Sequence, residues 1–320
     1  MSGKRSPPQT KPRIVLADTA GIAAAAALLR GGGLVAVPTE TVYGLAARAD
    51  SAEAVAAIDR AKGRPDFNPL IVHVPDLAAA EAIGVFGARA RSLTEAFWPG
   101  ALTLVVPLRP EARIALAVTA GLPTIALRCP AHPALRALLA ATGLPLAAPS
   151  ANRSGGVSPT SAAHVAASLG AELPLVLDGG TCATGLESTI AALREGGGWQ
   201  LLRPGPVSEA QISAVLGATS DAVTSLGIEA PGQLASHYSP GKPLRLNAER
   251  AAPDEFHIGF AAAAGDVSLS ASGDLAEAAA RLYACLHLAA AAPQPQIAVA
   301  PIPGEGIGVA INDRLRRAAV

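Results

Sequence analysis

The sequence predicts an α/β protein of two unequal parts, and three observations carry that reading. Short runs of Val, Ile, Leu and Ala alternate with helical stretches through about the first 217 residues, as expected when helices pack on a sheet. The pattern lapses from Thr219 to Pro243, where Gly, Pro and Ser recur without a sustained period. It resumes from Leu244 as a smaller unit, and a chain of 320 residues exceeds what one core usually serves. The expected organisation is a disordered basic tail at 1–13, a first domain at 14–217, a linker at 218–243 and a second α/β domain at 244–320.

Ala20–Arg30 reads as a helix stopped by three glycines, and Leu34–Val37 as a buried strand ended by Pro38. Ser51 is the expected N-cap of a helix that runs to Lys62 and breaks at Gly63 and Pro65. A strand at Leu70–Val74 precedes helices near Asp76–Ile83 and Ala88–Phe97, the turn Pro99-Gly100, and a strand at Ala101–Val106. Thr124–Leu127 and Leu144–Ala147 are strands separated by a helix from His132 to Ala141. Leu175–Leu177, Thr189–Leu193 and Gln200–Leu202 complete the first set of strands, and a helix near Ser208–Leu216 closes it. In the second unit, helices at Asp274–Ala291 and Asn312–Ala318 flank a strand at Gln296–Ala300.

Composition narrows the function classes. Lys plus Arg equals Asp plus Glu at 25 each, which removes the electrostatic case for stable nucleic-acid binding and makes any phosphate site local. Aromatic residues are only 3%, so stacking platforms for bases are scarce. Three widely separated cysteines frame neither a disulfide scaffold nor a zinc motif, and no metal site is expected. The apolar run Ala20–Leu29 is too short for a bilayer, which needs about 20 residues, and no signal cleavage site follows it. A cytoplasmic protein without membrane attachment is the expectation.

Neither a P-loop nor a dinucleotide fingerprint occurs; Gly304-Glu305-Gly306-Ile307-Gly308 has the wrong glycine spacing. Polar clusters at strand ends are the candidates instead. Pro38–Leu45, PTETVYGL, concentrates two threonine hydroxyls, a carboxylate and a phenol in one loop, although a plain turn uses the same residues. Lys62 and Arg64 straddle a helix end, where they suit a polyphosphate or simply complement the helix dipole. Alternation puts His73 on the face of Ile71, opposite Leu70, Val72 and Val74; a lone strand histidine is more often structural. Arg128 closes a strand, where it can hold a carboxylate or make an ion pair. Pro149–Thr160, PSANRSGGVSPT, offers small donors and glycines to phosphate or ribose, with Ser188-Thr189 and Arg203-Pro204-Gly205 as further strand-end clusters.

Taken in order, PTETVYGL, KGRP with NPLIVHV (Lys62–Val74), FWPGALTLVV (Phe97–Val106), SANRSG (Ser150–Gly155), Ser188-Thr189 and Arg203-Pro204-Gly205 form a series. This series resembles the YrdC-like family of threonylcarbamoyl-adenylate synthases. HYSP at His237–Pro240 and GIGVAINDRLRRAA at Gly306–Ala319 are similar to the linker and the last segment of its long form, so nearly the whole chain is covered. The resemblance implies a twisted mixed sheet with flanking helices around a concave pocket, plus a smaller C-terminal Rossmann-like domain. It implies synthesis of threonylcarbamoyl-AMP from ATP, L-threonine and bicarbonate, with release of pyrophosphate, for modification of the adenosine beside the tRNA anticodon. Lys62 and Arg64 would be catalytic. Arg64, Asn68, Thr124, Ser150, Asn152, Ser158 and Arg203 would contact ATP, joined by His237 and Tyr238, and Thr41, His73, Arg128 and Ser188 would contact threonine.

Mg²⁺ would arrive with ATP, and transient contact with the downstream tRNA threonylcarbamoyl transferase complex is a possible partnership. One departure is that Gln233-Leu234-Ala235-Ser236 lacks the basic residue that many long-form relatives carry before the His-Tyr pair, leaving linker contacts to His237 and Tyr238. The C-terminal third is expected to hold the linker across the pocket. Two rivals are an RNA-binding or translation-associated module of the same fold and a carbamoyl transferase of hydrogenase maturation; the latter would carry zinc-finger cysteine pairs that this chain lacks.

Overall fold

Caps and breakers set the ends of the helices, as the sequence predicts. Ser51 caps the second helix by accepting from the Ala54 N–H, and Gly63 ends it in the left-handed region at φ 60°, which a residue without Cβ enters at little cost. Ser208 and Gln211 form a capping box at the start of another helix, satisfying two orphan backbone donors.

The computed structural model describes residues 12–64, 68–194, 196–221, 229–231 and 237–320. The tail at 1–11 and the segment Gln233–Ser236 lie outside these. In chain order the first elements are β1 (Arg13–Leu16), α1 (Thr19–Arg30), β2 (Val35–Val37), β3 (Gly44–Arg48), α2 (Ala52–Lys62), β4 (Ile71–His73), α3 (Leu77–Glu81) and α4 (Ala88–Phe97). There follow β5 (Leu102–Pro107), α5 (Leu116–Thr119), β6 (Thr124–Arg128), α6 (Pro133–Thr142), β7 (Leu146–Ala147) and α7 (Ala162–Leu169). The remainder are β8 (Leu175–Asp178), β9 (Thr189–Leu193), β10 (Trp199–Arg203), α8 (Glu209–Leu216), β11 (Leu244–Arg245), β12 (Glu255–Gly259), β13 (Val267–Ser268), α9 (Leu275–Ala291), β14 (Gln296–Val299) and α10 (Gly308–Ala318).

Ten of these strands form one mixed sheet in the order β1-β8-β2-β3-β7-β4-β6-β5-β9-β10. β4 and β6 run parallel, so His73 and Arg128 sit side by side in register. The remaining four strands form a parallel sheet, β11-β14-β12-β13. One apolar cluster packs Leu45, Ile58, Leu70, Val72, Leu93 and Leu104 together, and a second fills the space between α1, α6 and the sheet with Leu29, Leu135 and Leu138.

Several features depart from the expected elements, among them α5, β12 and β13, which the sequence reading did not place. Arg13, assigned with the tail, opens β1 and pairs with Leu175. β3 occupies the end of the PTETVYGL segment and beyond, because it pairs with β2 and with distant β7. α7 occupies a stretch assigned to no element from the sequence, with Ser161 as its N-cap. α10 begins at Gly308, four residues before the expected start.

The C-terminal sheet does not have a private core. Val42, Val157 and Leu186 from the loops of the large sheet belong to the same apolar cluster as Ile258, Leu282, Leu286, Ile297 and Ile311. Contact is close where the loop before β9 meets α9: a Cβ on Gly185 would lie 2.5 Å from Ala280 Cα, and its φ is 72°. Gly185→Ala therefore meets both backbone strain and overlap. It should destabilise the protein by roughly 1–3 kcal/mol, read as a lowered midpoint in thermal unfolding.

Candidate active site

A single cavity of about 210 Å³ opens where the loops of the large sheet converge. The loop between β2 and β3 forms one wall through Thr39 and Thr41, and its shape comes from one side chain. The Thr39 hydroxyl accepts from the backbone N–H of Thr41 (3.0 Å) and Val42 (3.1 Å) and donates to the Val42 carbonyl at 2.7 Å. The Thr41 hydroxyl lies 2.8 Å from Thr39 Oγ1 and accepts from Arg128 Nη1 at 2.9 Å.

Arg128 is held on two further sides, by the Gly100 carbonyl (Nε, 3.1 Å) and by Glu40 (Nη2, 2.7 Å). Among the described residues three of its five N–H groups are thus engaged. Burial pushes the Glu40 carboxyl up, but the charge and hydrogen bond of Arg128 hold it below its ordinary value. His73 lies beside Arg128 on β4, and both its ring nitrogens are buried without a hydrogen-bond partner among the described residues. Burial, and then the charge of Arg128, drive its pKa down to about 3, so the imidazole is neutral at any working pH. Ile71 shares this cavity face while Leu70, Val72 and Val74 enter the core, as strand alternation predicts.

The other walls are cationic. Lys62, at the last position of α2, donates from Nζ to the carbonyls of Ser150 (2.6 Å) and Asn152 (2.5 Å), tying the helix end to the loop after β7. Its burial, and then the charge of Arg64, lower its pKa to about 7. Arg64 contacts Asp59 at 3.2 Å and donates to the carbonyls of Asn68 (2.8 Å) and Pro69 (3.1 Å). Arg203, at the end of β10, donates from Nε and Nη2 to the Ser188 carbonyl at 3.0 and 2.9 Å, and from Nη2 to Ser188 Oγ at 3.2 Å. Ser188 Oγ is also 2.7 Å from Thr103 Oγ1. Asn152 Oδ1 and His237 Nδ1 are buried without partners among the described residues, and both residues line the same cavity.

The structure thus brings together Thr41, Lys62, Arg64, Asn68, His73 and Arg128, and with them Ser150, Asn152, Ser188, Arg203, His237 and Tyr238. Two expected site residues are not among the cavity's lining. Thr124 begins β6, at the opposite end from Arg128, and four residue steps along a strand put the two roughly 13 Å apart. Ser158 lies behind the wall, where its hydroxyl donates to Glu187 Oε1 at 2.5 Å.

Sequence reasoning gave no site role to Thr39, Glu40 or Glu187, nor to Arg314 behind Glu187. Thr39 and Glu40 stand inside the PTETVYGL segment already singled out, and Glu187 precedes Ser188. Arg314 was detectable from spacing, since Ile311, Leu315 and Ala318 place it on the apolar stripe of α10.

Comparisons with known proteins agree with this geometry. The Sua5/YciO/YrdC family profile, described as telomere recombination, matches residues 27–205, and the profile of the threonylcarbamoyl-AMP synthase C-terminal domain matches residues 207–320. A threonylcarbamoyl-AMP synthase of Bacillus subtilis is 47% identical over 230 residues, 70% of this chain and 66% of that protein. One from Pyrococcus abyssi is 43% identical over 224 residues, 68% of this chain and 64% of that protein. The matched segments span just under two thirds of these relatives' length. In three dimensions the chain is similar to the crystal structure of P. abyssi Sua5 complexed with L-threonine, with a TM-score of 0.87, 33% identity and 97% of each chain covered. Profiles matching residues 27–205 and 207–320, with a similar fold over 97% of the chain, establish that it belongs to the Sua5/YciO/YrdC family in its long form.

Proposed function

We propose that this protein condenses L-threonine, bicarbonate or carbon dioxide, and ATP into threonylcarbamoyl-AMP with release of pyrophosphate, supplying threonylcarbamoylation of the adenosine beside the tRNA anticodon. The observation that carries this reading is the pairing, in one cavity, of buried cations with unsatisfied polar atoms. Lys62, Arg64 and Arg203 converge there, and four buried side-chain atoms of His73, Asn152 and His237 lack partners among the described residues. Buried polar groups in native proteins are normally paired, so such a cluster points to a polar anionic ligand.

In this mechanism the threonine amine first forms a carbamate. A carbamate oxygen then attacks the α-phosphorus, forming a P–O bond while the bond to the bridging oxygen breaks and pyrophosphate leaves. The charges of Lys62, Arg64 and Arg203 oppose repulsion between the two anions and stabilise the departing pyrophosphate. The two N–H groups of Arg128 left unengaged among the described residues suit the threonine carboxylate. Neutral His73 offers one donor and one acceptor, and with Thr41 and Ser188 it forms the amino-acid end of the site. Asn68, Ser150, Asn152, His237 and Tyr238 are assigned to the nucleotide. Ser158 acts only through Glu187, and Thr124 has no place in this scheme.

Among the described residues no three His, Cys, Asp or Glu side chains cluster to hold a metal, and Glu40 and Glu187 are already engaged by arginines. Mg²⁺ would therefore be carried on the triphosphate oxygens and water. No helix among the described residues is long and apolar enough to cross a membrane. We place the enzyme in the cytoplasm, where transient contact with the downstream transferase complex would pass on a labile mixed anhydride.

Purified protein given ATP should release pyrophosphate only when both threonine and bicarbonate are present. The absence of threonine-dependent release sinks the proposal and favours the RNA-binding alternative. His73→Ala should raise the threonine KM about tenfold, the scale of one or two lost hydrogen bonds, and leave the ATP KM within about twofold. Because Lys62 must be charged to attract phosphate and its pKa is about 7, raising the pH neutralises it and weakens binding. ATP affinity measured by calorimetry should fall about tenfold between roughly pH 7.5 and 9, and Lys62→Met should flatten that dependence.

A further inference from the structure

Glu187 stands in the cavity wall beside Ser188, whose carbonyl and hydroxyl hold Arg203. A carboxylate next to a phosphate-binding guanidinium is a competitor for it. Yet no hydrogen bond joins Glu187 to Arg203 among the described residues. Its Oε2 accepts from Arg314 Nε at 3.0 Å and from the Tyr283 hydroxyl at 2.7 Å, and its Oε1 accepts from Ser158. Arg314 is fully buried on α10, Tyr283 is fully buried on α9, and both belong to the C-terminal sheet's helices.

Arg314 is itself fixed, donating from Nη1 to Asp313 at 2.7 Å and lying over the Tyr238 ring at 5.4 Å. Burial raises the Glu187 carboxyl's pKa, but the charges of Arg314 and then Arg203 overcome this and hold it down at about 2. The carboxylate is therefore permanently ionised, and what matters is which cation it faces.

We propose that Arg314 and Tyr283 are positioning residues that hold the Glu187 carboxylate on the C-terminal side and so leave Arg203 available to the nucleotide. This rests on the reading of the cavity as an ATP site. The C-terminal part then has a definite task in the reaction: it neutralises a wall carboxylate that the large sheet carries but does not pair by itself. After Arg314, the cation whose charge acts most on Glu187 is Arg203, and an Arg203–Glu187 pair would have to break each time a triphosphate bound.

The test compares Arg314→Met, Tyr283→Phe and the double variant Glu187→Gln/Arg314→Met with wild type. ATP affinity is read by calorimetry, turnover by threonine-dependent pyrophosphate release, and folding by thermal unfolding. Arg314→Met should weaken ATP binding and raise the ATP KM at least about tenfold while the threonine KM stays within about threefold, since an unpaired buried carboxylate then competes for Arg203. The double variant, which lacks the competing charge, should return ATP affinity to within about threefold of wild type, a rescue that a purely structural role for Arg314 does not produce.

A folded Arg314→Met with unchanged ATP affinity, or a double variant as impaired as the single, overturns the proposal. Should Arg314→Met fail to fold, Tyr283→Phe decides: a rise of about threefold in ATP Kd supports it, and no change overturns it. Wild type that binds ATP without threonine-dependent turnover sinks the synthase reading while the affinity comparison still stands; wild type that binds no ATP overturns both.

Discussion

Lys62, Arg64 and Arg203 are drawn out of water at the wall of one cavity, and the acidic groups nearest to them do not simply neutralise them. Asp59 pairs with Arg64, while Glu187 is committed to Arg314. Among the described residues Lys62 donates only to carbonyl oxygens, and its lowered pKa expresses the cost of keeping it charged there. Such an excess of buried positive charge is a standing demand for an anion, and the rest of the site is arranged around it. The loop after β7 is anchored by Lys62, β9 and β10 are linked through the Ser188 contacts of Arg203, and the β2–β3 loop is anchored by Arg128.

The amino-acid end of the cavity follows a different electrostatic rule. Arg128 is balanced by Glu40, so its charge is largely spent within the protein while two N–H groups, unengaged among the described residues, keep their directionality. His73 beside it is neutral by burial and by Arg128's field. A dicationic pocket would bind any polyanion; a balanced arginine next to a neutral donor and acceptor instead favours a small zwitterion. Under the proposed function, the contrast between the two ends would let one cavity sort a nucleotide from an amino acid.

The C-terminal sheet is joined to this site by both apolar and polar contacts. Leu186 and Val42 share its core, His287 lies 3.1 Å from the Ser158 carbonyl, and His237 donates its backbone N–H to the Arg317 carbonyl. Tyr238 sits buried between Arg314 and Tyr283 with φ at 66°, a left-handed conformation that a bulky aromatic residue occupies only when its surroundings force it. His237 and Tyr238 thus line the cavity while touching the helices of the second sheet.

Local signals were legible in the amino-acid order because they depend on neighbours a few positions away. Ser51 and Gly63 bounded α2, Asp274 opened α9, and the period of two put Ile71 with His73 and Val72 in the core. The resemblance of the ordered motifs supplied the family and most of the cavity's residues. What the sequence could not decide were relations whose energy comes from distant partners. β1 exists because β8 lies alongside it, Thr124 and Arg128 are separated by the length of a strand although both belong to β6, and Ser158 donates to Glu187. Above all, that Glu187 pairs with Arg314, 127 residues away, depends on two sheets closing over one buried charge, which no local pattern encodes.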